Sequence, residues 1–189
     1  MIATFISYFL ILVFFIMERF IRVGTDARSL SKTKFDRNST NVVALALIVS
    51  TVILIITPFL NNLFGRINIK YFGFLGIILM ILGLIIRIIA AKTLGKFYMR
   101  TLRKTDNHKI VKNGIYKFIR HPGYLGLFLL FIGAGIAVEN FISLILIFVI
   151  MTVAYSYRIK VEEEMLIKIF GNKYKKYMKE TKRIIPFIN

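Results

Sequence analysis

Two groups of polar residues interrupt an otherwise apolar chain. The first lies in residues 111–126, V-K-N-G-I-Y-K-F-I-R-H-P-G-Y-L-G, where Tyr116, Arg120, His121 and Tyr124 gather around Pro122. The second is Arg158 with Glu162, Glu163 and Glu164. Proline suits the first turn of a helix, because its missing N–H costs nothing there and its φ is preset, so a helix is predicted to begin at Pro122. The free N–H groups and partial positive charge of that helix start, flanked by Arg120 and His121, suit an anionic group. Three consecutive glutamates in a chain with only 9 acidic residues suit a cationic one. On a helix, Arg158 and Glu162 share a face, as do Lys160 and Glu164, and as plain i,i+4 pairs on a solvated surface they would need no ligand.

The elements that position these groups follow from composition. Of the 189 residues, 57% are hydrophobic and the mean hydropathy is +0.71, against roughly 45–50% apolar residues in a soluble domain. The fold class predicted is an all-α integral membrane protein. Apolar runs at residues 2–17, 42–60, 71–91, 122–138 and 141–157 predict five transmembrane helices. The first lacks a basic leader and a small-residue cleavage site and is expected to be retained rather than removed as a signal peptide. Only Glu139 and Asn140 separate the last two, which must therefore form an antiparallel hairpin and return residue 157 to the face where Pro122 begins. The two polar groups converge there. Beyond Tyr157 the helix is expected to leave the membrane and stop at Gly171, and Tyr174, Tyr177 and Met178 then suggest an amphipathic interfacial helix. The whole reads as one membrane domain, with three spans in residues 1–91 and a second half in 92–189 that carries the hairpin, a C-terminal helical extension and both polar groups.

Charge orients the bundle. The 27 Lys and Arg against 9 Asp and Glu, net +18, fall in the gaps between apolar runs, where they fix topology and touch membrane lipid headgroups; a nucleic-acid surface is not expected. The first and third loops and the tail are basic, so the positive-inside rule places them in the cytoplasm and the N-terminus outside. Arg87, the one cation inside a predicted span, is expected to snorkel to the interface, the alternative being that it faces the bundle and meets a buried carboxylate. Absence of cysteine excludes disulfides and thiolate chemistry, and 2 histidines do not make a zinc site unaided, so no metal is predicted.

In order and spacing, Gly114-Ile115-Tyr116, Arg120-His121-Pro122-x-Tyr124-x-Gly126, the apolar hairpin, Glu162-Glu163-x-x-Leu166, Phe170-Gly171-x-x-Tyr174-x-x-Tyr177 and Ile185-Pro186-Phe187 resemble the C-terminal signature of the isoprenylcysteine carboxyl methyltransferase family. Similar signatures occur in membrane phospholipid methyltransferases. The resemblance implies an enzyme that uses S-adenosyl-L-methionine to methylate the carboxylate of a prenylated cysteine entering from the bilayer. Residue by residue, it implies cofactor binding by His108, Lys109, Ile110, Val111, Gly114 and Tyr116, by His121, Pro122, Tyr124 and Gly126, and by Glu162 and Glu163. Arg158 and Glu162 take the catalytic positions, Arg158 facing the substrate. Glu164 falls on a variable position and is left out.

The chemistry of these residues agrees with that implication. The glutamates can meet the cofactor's cations, the Pro122 helix start with His121 its carboxylate, and Tyr116 and Tyr124 its adenine or sulfonium, although both tyrosines equally suit interfacial anchoring. A carboxylate nucleophile is already ionised at neutral pH, so the work required is alignment and dehydration. A phospholipid amine N-methyltransferase would instead need a base such as Glu162. A non-catalytic transporter or scaffold would want polar or broken spans near the midplane.

Overall fold

The computed structural model describes residues 2–21, 35–61, 65–67, 69, 71–98, 102 and 109–184, and among the described residues local sequence sets six α-helices. They are α1 (Ile2–Ile21), α2 (Ser39–Leu60), α3 (Phe72–Leu94), α4 (Pro122–Ala137), α5 (Phe141–Phe170) and α6 (Asn172–Glu180), with short 3₁₀ turns at Gly95–Phe97 and Gly114–Lys117. The helices α1, α2, α3 and α5 are long and apolar enough to cross a membrane. They turn Phe5, Leu45, Ile78 and Val153 outward, each more than half exposed, as lipid-facing helices must. The apolar α4 has 16 residues, about 24 Å at 1.5 Å per residue against a hydrocarbon core of about 30 Å.

The hairpin forms as its two-residue turn demands. Glu139 takes a left-handed φ of 54°, and Asn140 caps α5 by accepting from the Ser143 amide at 3.0 Å. Asn140 also donates to Asn61 Oδ1 at 2.8 Å, tying this end to the foot of α2. Helix α5 then runs unbroken past Tyr157, and Gly171, at φ 56°, ends it by donating its N–H to Ile167 O.

Glycine spacing fixes how α3 meets α4. Gly76 faces Gly133 and Gly83 faces Gly126, two pairs seven residues apart on both helices. A Cβ on Gly83 would lie 2.5 Å from Gly126 O, and one on Gly133 2.5 Å from Gly76 O. The backbones therefore touch, which no larger residue permits. Met80, Leu130, Phe131, Ile147 and Met151 fill the core, and Phe14 of α1 packs edge-on against Phe131 with ring centroids 6.4 Å apart.

Two boundaries and one buried face differ from the sequence-based expectation. Helix α1 continues to Ile21 and carries Glu18 into the bundle. Helix α2 begins at Ser39, because the Asp36 carboxylate accepts from the Thr40 amide at 3.2 Å and the Thr40 hydroxyl at 2.7 Å and so draws three polar residues into its first turn. The helix expected to lie at a membrane interface, α6, instead buries Tyr174 and Tyr177 to 2% and 3% exposure. Tyr177 donates to Tyr116 O at 2.7 Å, so this face is spent on the protein.

Candidate active site

A strand-like pairing builds the corner at Pro122. Residues 118–121 run parallel to 182–183: Lys182 N donates to Phe118 O, Arg120 N to Lys182 O and His121 N to Arg183 O, at 2.9, 2.9 and 3.2 Å. Arg120 adds side-chain bonds to Met178 O, at 3.1 Å, and to Thr181 O. The tail after α6 thereby clamps the start of α4.

Glu163 is the hub of that clamp. Its Oε1 accepts from Arg120 Nε at 2.9 Å and lies 3.1 Å from His121 Nε2, and its Oε2 takes Arg183 Nε at 3.1 Å and Nη2 at 2.5 Å. Burial alone would raise this carboxyl, but the hydrogen bonds from His121, Arg183 and Arg120 outweigh it and hold Glu163 well below the usual carboxylate range. With both oxygens engaged, Glu163 is a structural ion-pair centre at 3% exposure and does not line the adjoining cavity.

Glu162, one residue earlier, points differently. Its Oε2 accepts the Tyr124 hydroxyl at 2.7 Å and lies 3.6 Å from His121 Nδ1. The Tyr124 ring stacks on His121, centroids 5.6 Å apart and planes 16° apart. The same hydroxyl accepts from Arg158 Nε at 3.1 Å. Arg158 Nη1 donates to Asp36 Oδ1 and Ser39 Oγ at 2.7 Å each and to Thr40 Oγ1 at 3.0 Å. Burial opposes ionisation of Asp36, but the Thr40 hydroxyl and amide and the Arg158 guanidinium prevail and hold its carboxyl below the ordinary value. A chain Glu162–Tyr124–Arg158–Asp36 thus crosses from α5 to α4, back to α5 and on to the N-terminal end of α2.

Glu162, Tyr124, Arg158 and Thr40 line one cavity of about 570 Å³, within the roughly 300–1,000 Å³ of small-molecule sites. The lining divides by chemistry into a polar and aromatic part, the polar lobe, with Tyr116, His121, Tyr124, Glu162 and Tyr174 and the stretch Lys109 to Val111, and an apolar part, the apolar lobe, that includes Phe14 and Phe15 of α1, Val43, Ala44 and Leu47 of α2, and Leu127 of α4. Arg158, Arg87, Glu18, Tyr98 and Tyr155 belong to the same wall.

Of the residues singled out from sequence, Lys109, Ile110, Val111, Tyr116, His121, Tyr124, Arg158 and Glu162 meet at this cavity. Pro122 is the first residue of α4 and is buried outside the lining, Gly126 is spent on the contact with Gly83, and Gly114 is exposed beside Thr93. His108 lies outside the described residues. Glu164 pairs with Arg37 at 2.7 Å on the outer surface.

The expected snorkelling of Arg87 does not occur. It is 7% exposed, with Nε donating to Glu18 Oε1 and Nη1 to Gly123 O, both at 2.8 Å, and its guanidinium sits 5.0 Å from the Tyr98 ring centre. A carboxylate within reach makes burial cheaper than extension to water. Glu18, Asp36 and Tyr98 are the groups sequence reasoning passed over. Acids are scarce here, and an acid just after an apolar run was the available signal for Glu18; Asp36, in a basic loop, offered none.

Comparison with known proteins bears on this arrangement. The model of the isoprenylcysteine carboxyl methyltransferase (ICMT) family matches residues 76–168. The protein-S-isoprenylcysteine O-methyltransferase of Saccharomyces cerevisiae is 38% identical over 116 residues, covering 60% of this chain and 48% of the relative. A probable protein-S-isoprenylcysteine O-methyltransferase of Oryza sativa subsp. indica is 30% identical over 120 residues, covering 62% and 63%. The solved structure of the eukaryotic intramembrane Ras methyltransferase ICMT superposes with a TM-score of 0.64 at 30% identity, over 77% of this chain and 52% of that one. The chain spans less than two thirds of the length of these proteins. It is a multi-pass, all-α integral membrane protein with an ICMT-like fold. The matched residues run from the α3–α4 glycine contact through the His121-Pro122 corner to the glutamates of α5, and the chain belongs to the isoprenylcysteine carboxyl methyltransferase family.

Proposed function

We propose that this protein transfers a methyl group from S-adenosyl-L-methionine to the carboxylate of a prenylated cysteine, giving a methyl ester. The single observation that carries the proposal is that one continuous cavity has both polar walls, at Glu162 and His121, and apolar walls, at Phe15 and Leu47, with Arg158 also in its lining. A small charged donor and a lipid-tailed acceptor need such a pair of environments in one continuous space.

The residues present fit the donor. Glu162 is a partly exposed carboxylate at the cavity wall, suited to an ammonium or sulfonium, and the stacked Tyr124 and His121 rings offer an aromatic surface. Lys109, Ile110 and Val111 line the same cavity. We assign these residues, with Tyr116, to donor binding. When bound, the donor supplies an electrophilic methyl on sulfur. The acceptor carboxylate is already ionised at neutral pH and would take the methyl from sulfur with no proton to lose, so no residue of the chain need act as a base. The chain's work is to align the oxygen, exclude water and balance charge. Arg158, held by Asp36, Ser39 and Thr40, keeps Tyr124 in place against Glu162 and presents positive charge to the acceptor side.

The proposal includes five spans, α4 serving as the fourth, with the N-terminus outside and the cavity opening toward the cytoplasm. The basic loops, among them the stretch with Lys109, Lys112 and Lys117, support this orientation. The prenyl tail enters laterally between α1 and α2, whose Phe15 and Val43 line the apolar lobe.

An acceptor competition over pH tests the reading. With acetyl-farnesylcysteine, turnover is expected to be flat from pH 7 to pH 9, because a carboxylate has no proton to lose there. Transfer to a phospholipid amine in its place, rising with pH through the amine's titration, would overturn it.

A further inference from the structure

The cavity lining holds arginines in two states. Arg87, Arg120 and Arg158 are each paired with a buried carboxylate, Glu18, Glu163 and Asp36, at 2.8, 2.9 and 2.7 Å. Arg19 also lines the cavity, is exposed, and among the described residues makes no ion pair or hydrogen bond. Leu12, Phe15 and Arg19 follow one another at three- and four-residue spacing and so form one stripe of α1. All are exposed, and Leu12 stands outside the lining while Phe15 and Arg19 belong to it. The cavity wall therefore reaches the outer, lipid-facing side of α1. Arg19 sits in the last turn of that helix, where an apolar span meets water, and Phe15 lies one turn deeper, about 6 Å. Val43, Ala44 and Leu47 of α2 add to the apolar wall. An apolar recess that reaches a bilayer fills with chains, because water finds no partners there and a lipid tail is as apolar as the leucine it meets. An unpaired cation at its rim selects a negative headgroup.

We infer that the apolar lobe is a site for an anionic phospholipid, one acyl chain lying against Phe15 and Leu47 and the phosphate pairing with Arg19. The site goes beyond methyl transfer, and only its competition with a prenylated acceptor rests on the carboxyl methyltransferase reading. Because lipid and acceptor tail claim the same wall, the anionic lipid content of the membrane sets how much acceptor is needed to fill the cavity.

Tryptophan is absent from the sequence, so Phe15→Trp gives the full chain a single fluorescent reporter in this wall, and Ile78→Trp gives one on the outward face of α3. Each is reconstituted in phosphatidylcholine vesicles that carry a minor share of brominated phosphatidylglycerol or brominated phosphatidylcholine. In Phe15→Trp, the brominated phosphatidylglycerol is expected to quench with an apparent affinity about fivefold above that of its phosphatidylcholine counterpart. In Ile78→Trp the two are expected to quench alike. Adding Arg19→Gln to Phe15→Trp is expected to remove the preference and adding Arg19→Lys to retain it, and acetyl-farnesylcysteine is expected to relieve the quenching at position 15. Equal quenching by the two lipids there, or a preference that survives Arg19→Gln, would overturn the site. Quenching that acetyl-farnesylcysteine leaves untouched would overturn the competition. The expected lipid preference in a chain that methylates no prenylated acid would uphold the lipid site and overturn the proposed function instead.

Discussion

Tyr124, in the first turn of α4, and Glu162, beyond the apolar part of α5, share a 2.7 Å hydrogen bond that joins the two polar groups of the sequence across the hairpin. Because Arg158 donates to the same hydroxyl at 3.1 Å, one side chain couples the donor lobe to the residues that anchor α2. Tyr124→Phe removes both bonds and keeps the ring. Its expected result is a roughly tenfold weaker affinity for S-adenosyl-L-methionine, since a hydrogen bond to a charged group contributes about 1.5–3 kcal/mol. Glu162→Ala is expected to weaken binding further and abolish turnover, both read by calorimetric titration and methyl-transfer rate.

Arg158→Ala strands Asp36, which is 4% exposed and has this guanidinium as its ion-pair partner. Removing one member of a buried pair costs about 3–5 kcal/mol, so the variant is expected to melt lower in detergent as well as lose activity. Pairing it with Asp36→Asn is expected to recover much of the stability and none of the activity. Thermal unfolding followed by circular dichroism separates the two effects.

Acid is expected to loosen the clamp. Glu163 and Asp36 both have carboxyls held below their ordinary values of 4.5 and 3.8 in the folded protein. Their stabilisation is therefore complete above those ordinary values and is lost as pH falls through the lowered ones. Unfolding temperature should be level above about pH 5.5 and fall steadily toward pH 3. In Glu163→Gln the decline should be shallower from a lower plateau, and an identical slope would remove Glu163 from the explanation.

Gly133→Ala places a Cβ against Gly76 O, at 2.5 Å, and 2.9 Å from Met80 N. Backbone cannot yield as a side-chain tip does, so a loss of roughly 1–3 kcal/mol is expected from separating α3 and α4. Gly171→Ala meets no atom within 4 Å, and its cost comes from the positive φ of 56° alone. The melting temperatures of the two variants compare helix contact with backbone strain.

The hairpin was legible because Glu139 and Asn140 leave no room for any other connection, and the helix start at Pro122 because proline has few other uses there. Hydropathy could not reveal that α1 would carry Glu18 inward to Arg87, since a cation near the end of an apolar run looks the same whether it snorkels or is paired. The RHP and EE elements come together in the fold, but adjacent positions diverge: Glu162 faces the cavity, while Glu163 is consumed by Arg120, His121 and Arg183. Helical spacing separates their directions by about 100°, and only the tail folding back at Arg183 decides which one becomes structural. Asp36 was invisible for a related reason, as its partner Arg158 lies 122 positions away.

The most direct measurement is methyl transfer by the purified chain in lipid vesicles. Methyl-labelled S-adenosyl-L-methionine and acetyl-farnesylcysteine are incubated with it, and the product is treated with base to release volatile methanol. Carboxyl methylation predicts label in the volatile fraction, dependent on the acceptor's free carboxylate and absent in Glu162→Ala. Label that stays in a base-stable product, or transfer undiminished in Glu162→Ala, would contradict it.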